Sequence, residues 1–310
     1  MKKWRWVASA LLSFIIAFFI IAAFVYTPEQ NNTSQPKPPE TNEKAENVPD
    51  EDKQKNQENP ESEEDSNGTE DATLGEGLRD VFTSVIESAR GLFLKEDLQI
   101  VAVGDSLTQG VGDKTDNGGY IGILEDTFQS NTDADTLELL NYGKRGNRTD
   151  QLLKRLDEEE ISKSLSNADL VLITIGANDV MKVVKNNFTN LNYEDFAEEQ
   201  REYEDRLHQI IQRIQRLNPD APIYLIGLYN PFNQYFNNIP ELGQIMEDWN
   251  VTSKQVLKDY DKATFIPIRD VFEGEEEELL WEEDHFHPNE RGYKKMAERV
   301  LEYIRKDIEQ

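Results

Sequence analysis

The sequence predicts a three-layer α/β/α domain, doubly wound, with a flavodoxin-like parallel sheet of about five strands. Three observations carry this. Short, mainly apolar runs recur at 100–103, 137–142, 170–175, 223–227 and 264–268. Longer stretches with helical spacing separate them, at 120–129, 149–156, 194–217, 242–260 and 289–305. Apolar residues are also spread so unevenly along the 310 residues that one globular domain with attached segments fits better than two domains. Strands that are apolar on both faces suit a parallel sheet covered by helices on each side. The alternation of β and α elements is the order that winds helices onto both faces.

The attachments come first in the chain. Lys2, Lys3 and Arg5 precede an uncharged run from Trp6 to Tyr26. A bilayer core takes about 20 apolar residues as helix, and the run is long enough. A cleaved leader would have a shorter apolar core and small residues at the cleavage site, whereas Phe24, Val25 and Tyr26 stand there. Residues 1–26 therefore read as a cytoplasmic stub and an uncleaved transmembrane signal anchor, with the remainder exported. Trp4, Trp6 and Tyr26 suit the two membrane interfaces.

Residues 27–73 are rich in Glu, Asn, Pro, Gln and Ser, and no aromatic residue occurs between Tyr26 and Phe82. Such a segment cannot bury enough apolar surface to offset its ordering entropy, so it reads as a disordered acidic linker. In 74–96, Leu78, Val81, Phe82, Val85, Ile86, Ala89 and Phe93 recur at helical spacing, which predicts an amphipathic helix. The domain proper is expected over 97–310, ample length for a buried core.

Composition narrows the function. The formal charge of −28 argues against nucleic acid as a partner and disfavours non-specific binding to anionic lipid heads. With no cysteine there are no disulfides, no thiol nucleophile and no cysteine-ligated zinc.

In open α/β sheets the binding crevice lies beyond the carboxyl ends of the strands, and four clusters fall there. The first apolar run ends in VAVGDSLTQG, which puts Ser106 at the mouth of the sheet. A serine there is either a nucleophile or an ordinary helix cap. Asp105 beside it is expected to brace the loop by hydrogen bonds. In NYGKRGNRT, Gly146 either points a backbone N–H into the crevice or serves the turn. In ITIGANDV, Asn178 either donates to a developing oxyanion or caps the next helix.

In EEDHFHPNERGY, Asp284 and His287 are three apart and hold two of the chain's three histidines nearby. That spacing lets the carboxylate hold one ring nitrogen while the other takes a proton. A capping loop is the alternative. A metal site through His285 and His287 is disfavoured, because there is no helical His-x-x-x-His pair and no cysteine. His208, in a long polar helical stretch, is expected at the surface. Tyr229, Phe232, Tyr235 and Phe236 follow the fourth run and either line the crevice, against an acyl chain or a sugar, or pack the loop.

Taken together and in this order, GDSLTQG, Gly146, GAND and DHFH with Pro288 and Gly292-Tyr293 resemble the SGNH hydrolase superfamily, also called GDSL esterases and lipases. The resemblance runs from about residue 98 to the C-terminus and leaves out the anchor and linker. It implies Ser106 as nucleophile, His287 as base and Asp284 as its orienter. It also implies an oxyanion hole from the Ser106 amide, the Gly146 amide and the Asn178 side chain. No metal or organic cofactor is implied.

The expected reaction is ester hydrolysis through an acyl-enzyme, on a small-molecule, lipid or glycan ester, with activity falling on acidification as the base becomes protonated. The want of an obvious long apolar lid favours small or soluble acyl groups over bulk lipid. An O-acetylesterase acting on cell-wall or other glycans is the alternative within the class. Outside it stands a non-catalytic surface binding or scaffold protein, which the complete set of residues argues against.

Overall fold

The computed structural model describes residues 98–308, apart from 116, 130–136, 188–189 and 234–239. The expected segments 1–26, 27–73 and 74–96, and with them Tyr235 and Phe236, lie outside the described residues. Among the described residues no helix is long and apolar enough to cross a membrane.

The chain alternates strand and helix from its first element. β1 (Leu98–Gly104) leads into α1 (Ser106–Gln109) and α2 (Gly119–Gln129). β2 (Leu137–Gly143) is followed by α3 (Thr149–Arg155) and α4 (Glu159–Asn167), and β3 (Leu170–Thr174) by α5 (Ala177–Asn186) and α6 (Tyr193–Leu217). β4 (Ile223–Ile226) leads to α7 (Pro240–Leu257). β5 (Ala263–Ile266) leads to the short α8 (Arg269–Phe272) and α9 (Glu276–Leu279), and α10 (Glu290–Ile308) closes the chain. The five strands pair in parallel in the order β2-β1-β3-β4-β5. Strand order therefore reverses at β1, and the crevice of such a sheet opens between the carboxyl ends of β1 and β3.

The pleat sends alternate residues to opposite faces, and both are buried. Ile100 and Ala102 pack with Tyr120, Leu124, Met296 and Val300, so α2 and α10 cover one face. Val101 and Val103 pack with Leu152, Leu165, Leu207, Ile210 and Trp249, so α3, α4, α6 and α7 cover the other. Each fully buried large apolar side chain contributes about 1.5–3 kcal/mol of transfer free energy. β5 stops two residues before the expected end because Pro267 has no N–H for the ladder. α4 was not expected, since it buries only Ile161 and Leu165. Glu159 and Glu160 in its first turn complement the helix dipole.

Candidate active site

β1 ends at Gly104, where φ is +149° and an added Cβ would lie 2.2 Å from the carbonyl oxygen of Thr174. Only glycine lets the chain leave the sheet this close to β3. The Asp105 N–H donates to that same carbonyl at 3.0 Å. The Asp105 side chain then caps α1 by accepting from the Leu107 N–H at 3.0 Å. This puts Ser106 at the first position of the helix, 4% exposed, where a backbone N–H lacks an intrahelical partner.

A buried chain of hydroxyls braces the turn. Thr174 Oγ1 donates to Asp105 Oδ1 at 2.7 Å and accepts from the Thr108 N–H at 3.2 Å. Thr108 Oγ1 is 2.7 Å from Thr174 Oγ1 and 3.2 Å from the Tyr120 hydroxyl. Thr174 has one proton and gives it to the carboxylate, so Thr108 donates to Thr174 and accepts from Tyr120. Burial pushes the Asp105 carboxyl up to about 7, against the lowering by its Thr174 and Leu107 hydrogen bonds. The bracing role expected of Asp105 is what the structure shows.

The loop before α10 brings in the other two groups. His287 Nε2 is 2.9 Å from Ser106 Oγ, across 181 residues of sequence. His287 Nδ1 is 2.5 Å from Asp284 Oδ2. The Phe286 and His287 N–H groups both donate to Asp284 Oδ1 at 3.0 Å. A carboxylate facing Nδ1 accepts a hydrogen bond from an N–H there and so keeps the ring proton on that nitrogen, which leaves the lone pair of Nε2 facing the serine hydroxyl. Burial works to raise the Asp284 carboxyl, but the hydrogen bonds and charge of His287 outweigh it and hold Asp284 below the usual carboxylate range. Both ring nitrogens of His287 are thus engaged.

The two remaining expected donors sit on neighbouring loops. Gly176 caps α5, and Asn178 in its first turn donates from Nδ2 to the Asn147 carbonyl at 3.0 Å. That uses one of two amide protons. Gly146 is exposed after β2, at φ +78° with open space around its α-carbon. Asp179, fully buried, ties the two loops together. It accepts from the Thr149 N–H at 3.1 Å and from Thr149 Oγ1 at 2.5 Å, while Arg206 Nη2 reaches it from α6 at 3.3 Å. Arg206 also donates from Nε to Thr149 Oγ1 at 2.7 Å. Burial raises the Asp179 carboxyl despite these partners.

Of the two alternatives for the aromatic residues after β4, the structure shows packing rather than crevice lining at Tyr229 and Phe232. Tyr229 is buried, at 5% exposed, its ring stacks on Phe272 with centroids 4.2 Å apart, and its hydroxyl donates to the Phe286 carbonyl. Phe232 is half-buried and packs against the core on the α6 and α7 side, the loop-packing alternative. Burial in the core offsets more apolar hydration than a crevice wall would. His208 is not fully at the surface: Nδ1 lies 2.8 Å from the Tyr260 hydroxyl and the side chain is 29% exposed.

Sequence reasoning missed Thr174, Thr149 and Arg206. Thr174 carried a signal, as the polar residue closing an otherwise apolar strand. Arg206 carried none, because its helix face reads as solvated.

Residues 102–295 match the GDSL-like Lipase/Acylhydrolase family. The uncharacterized protein YpmR of Bacillus subtilis is 39% identical over 214 residues, 69% of this chain and 84% of that protein. The spore germination lipase LipC of Bacillus licheniformis is 27% identical over 210 residues, 66% of this chain and 94% of LipC. Among solved structures, the lipase Lip_vut3 from a goat rumen metagenome has a TM-score of 0.58 at 27% identity, covering 66% of this chain and 95% of its own. The acetylxylan esterase Axe2 of Geobacillus stearothermophilus, at 21% identity and a TM-score of 0.51 over 67% of this chain and 94% of its own, shares the fold. The matched span takes in more than half of the chain and every strand end that borders the crevice, and on that footing the chain belongs to the GDSL-like lipase/acylhydrolase family.

Proposed function

We propose that this chain is a serine ester hydrolase in which Ser106, His287 and Asp284 form the catalytic triad, held by an N-terminal anchor at the outer face of a membrane. Hydrolysis of esters is the chemistry of its family. The observation that carries the triad reading is the continuous contact from Ser106 Oγ through the His287 ring to Asp284, at 2.9 and 2.5 Å.

In this reading Ser106 Oγ attacks the ester carbonyl as its proton passes to His287 Nε2. Asp284 stabilises the imidazolium that forms. The negative oxygen of the tetrahedral intermediate takes hydrogen bonds from the Ser106 N–H, the Gly146 N–H and the free proton of Asn178 Nδ2. A donor of this kind is worth about 10²–10³ in kcat. The C–O bond to the alcohol then breaks, and the alcohol leaves with the proton from His287. Water enters, loses a proton to His287 and attacks the acyl-serine. Collapse releases the carboxylic acid and returns the proton to Ser106.

Small acyl esters and longer lipid esters are both within this chemistry. The lipases LipC and Lip_vut3, each 27% identical, favour the longer-chain reading. The positive residues before the uncharged run 6–26 support an exported domain.

The test is turnover of a p-nitrophenyl ester series, acetate to laurate, by the full-length chain in detergent, beside Ser106→Ala. Turnover that disappears in the variant is expected. Equal turnover in both proteins would remove Ser106 as nucleophile. A rate that climbs with chain length would select the lipase reading, and one that peaks at acetate the small-acyl reading. Protease added to intact cells should digest the domain, and full protection would refute an outward orientation.

A further inference from the structure

We propose that Tyr229 is a positioning residue whose buried hydroxyl holds the turn carrying the base, and so sets the contact between His287 and Ser106. The proposal rests on the triad reading above.

Tyr229 lies just beyond β4, on a different segment from either the nucleophile or the base. Its ring is fixed by the stack on Phe272 of α8, at 24° between planes. Its hydroxyl donates to the carbonyl of Phe286, the residue immediately before the base. Within the turn from Asp284 to His287, short-range bonds set the shape. Phe286 and His287 give their N–H groups to Asp284 itself, and the His287 carbonyl accepts from the Trp281 N–H at 2.7 Å. Those bonds join residues close in sequence, whereas the Tyr229 hydroxyl joins the turn to a segment 57 residues away.

The turn also carries His285 at φ +49°, in the left-handed region. Such a residue keeps that conformation only where its surroundings over-determine it. Tyr229 supplies one outside tie of this kind, from a rigid strand end. The Phe286 ring, whose backbone it holds, stands edge-on to the His287 ring at 5.2 Å.

The hydroxyl is a dependable donor. Burial, with the Asp284 and Asp105 charges nearby, raises it well above the ordinary tyrosine range. On the nucleophile's side, the Tyr293 hydroxyl donates to the Val111 carbonyl at 2.6 Å. The backbone after the nucleophile and the backbone before the base are thus each held by a buried tyrosine.

The test compares Tyr229→Phe with wild type as the full-length protein, on whichever p-nitrophenyl ester the wild type turns over fastest. Active sites are counted by stoichiometric labelling with a phosphonofluoridate. The substitution keeps the ring and its stack and removes one oxygen. Per active site, kcat should fall about tenfold while KM stays within about twofold, since a misplaced base costs rate rather than binding. Unchanged kcat, or a loss accounted for by fewer folded molecules, would overturn the proposal.

Phe272→Leu is the companion variant, because it loosens the ring but keeps the hydroxyl. It should lower Tm with kcat per site nearly kept. An equal loss of kcat in both variants would mean that general packing matters and the hydrogen bond does not. Ser106→Ala in the same series separates the two ideas. Ser106-dependent turnover upholds the triad whatever Tyr229→Phe does, and its absence overturns both.

Discussion

Ser106 and His287 meet at one hydrogen bond, but their loops are held by different means. The serine turn is gripped from within. Asp105, Thr108, Thr174 and Tyr120 are each at most 1% exposed and linked hydroxyl to hydroxyl to carboxylate. These contacts tie α1 to β3 and α2, so the nucleophile is part of the sheet's own interior. The histidine turn is an excursion. It folds around the Asp284 carboxylate, is closed by the bridge between Leu280 and Pro288, is tied from outside by the Tyr229 hydroxyl, and is half-buried over Asp284, His285 and Phe286. The nucleophile is held by burial and the base by a carboxylate that also has chemistry to perform. Removing a support should therefore cost chiefly stability on the serine side and chiefly rate on the histidine side.

Asp284→Asn is the strongest way to break this comparison. An asparagine carbonyl can still accept the two turn N–H groups, so the loop has the means to keep its shape. Its amide can also turn its NH2 toward Nδ1, which moves the histidine proton to Nε2, where it cannot accept from Ser106. We expect kcat to fall by about a thousandfold or more, with Tm changing far less in proportion. A loss below about tenfold would show that the base does not depend on its acid. Thr174→Val is the counterpart. It leaves the Thr108 N–H without its acceptor and takes one bond from Asp105 in a buried place, while the Thr108 hydroxyl keeps Val103 and Tyr120 as partners, which should cost about 1–3 kcal/mol in denaturant unfolding. Its kcat per folded molecule should fall much less than that of Asp284→Asn. The reverse pattern would mean that the serine turn is no better anchored than the histidine turn.

How far each loop could be read from sequence follows from the same contrast. The histidine side was legible because its supports are local: Asp284, His287 and the proline after them fall within one short motif, and histidine is rare in this chain. The central strands β1, β3 and β4 were legible because runs buried on both faces are mainly apolar. The serine side was legible only at Ser106 and Asp105. Thr174 meets Asp105 across 69 residues, through the pairing of β1 with β3, and nothing local announces that register. The two alternatives for Tyr229 stayed open in the sequence for a related reason. A residue just past a strand end points either into the crevice or beneath it, and that choice is made by Phe272 and Phe286, both far along the chain. Arg206 could not be found because one wall of its site is Thr149, 57 residues earlier.

A change of pH sets the two sides against each other most directly, because their carboxyls are shifted in opposite directions. Asp284 lies below the ordinary range when folded, so its contribution to stability is present above the unfolded value and is lost as pH falls. Asp105 lies above it, at about 7 when folded against 3.8 ordinarily. Between those values the folded state holds more of this proton than the unfolded state does, so stability from this group falls as pH rises from 3.8 to about 7 and is level beyond. Asp105→Asn keeps the oxygen that accepts from Leu107 and Thr174 and removes the titration. Whatever the fixed cost of the amide, the Tm of the variant relative to wild type should therefore improve from pH 5 to pH 8. Parallel Tm curves would show that Asp105 is ionised throughout. The serine turn would then rest on a buried charge, and the hydroxyl chain leading from Tyr120 would be what keeps that charge in place.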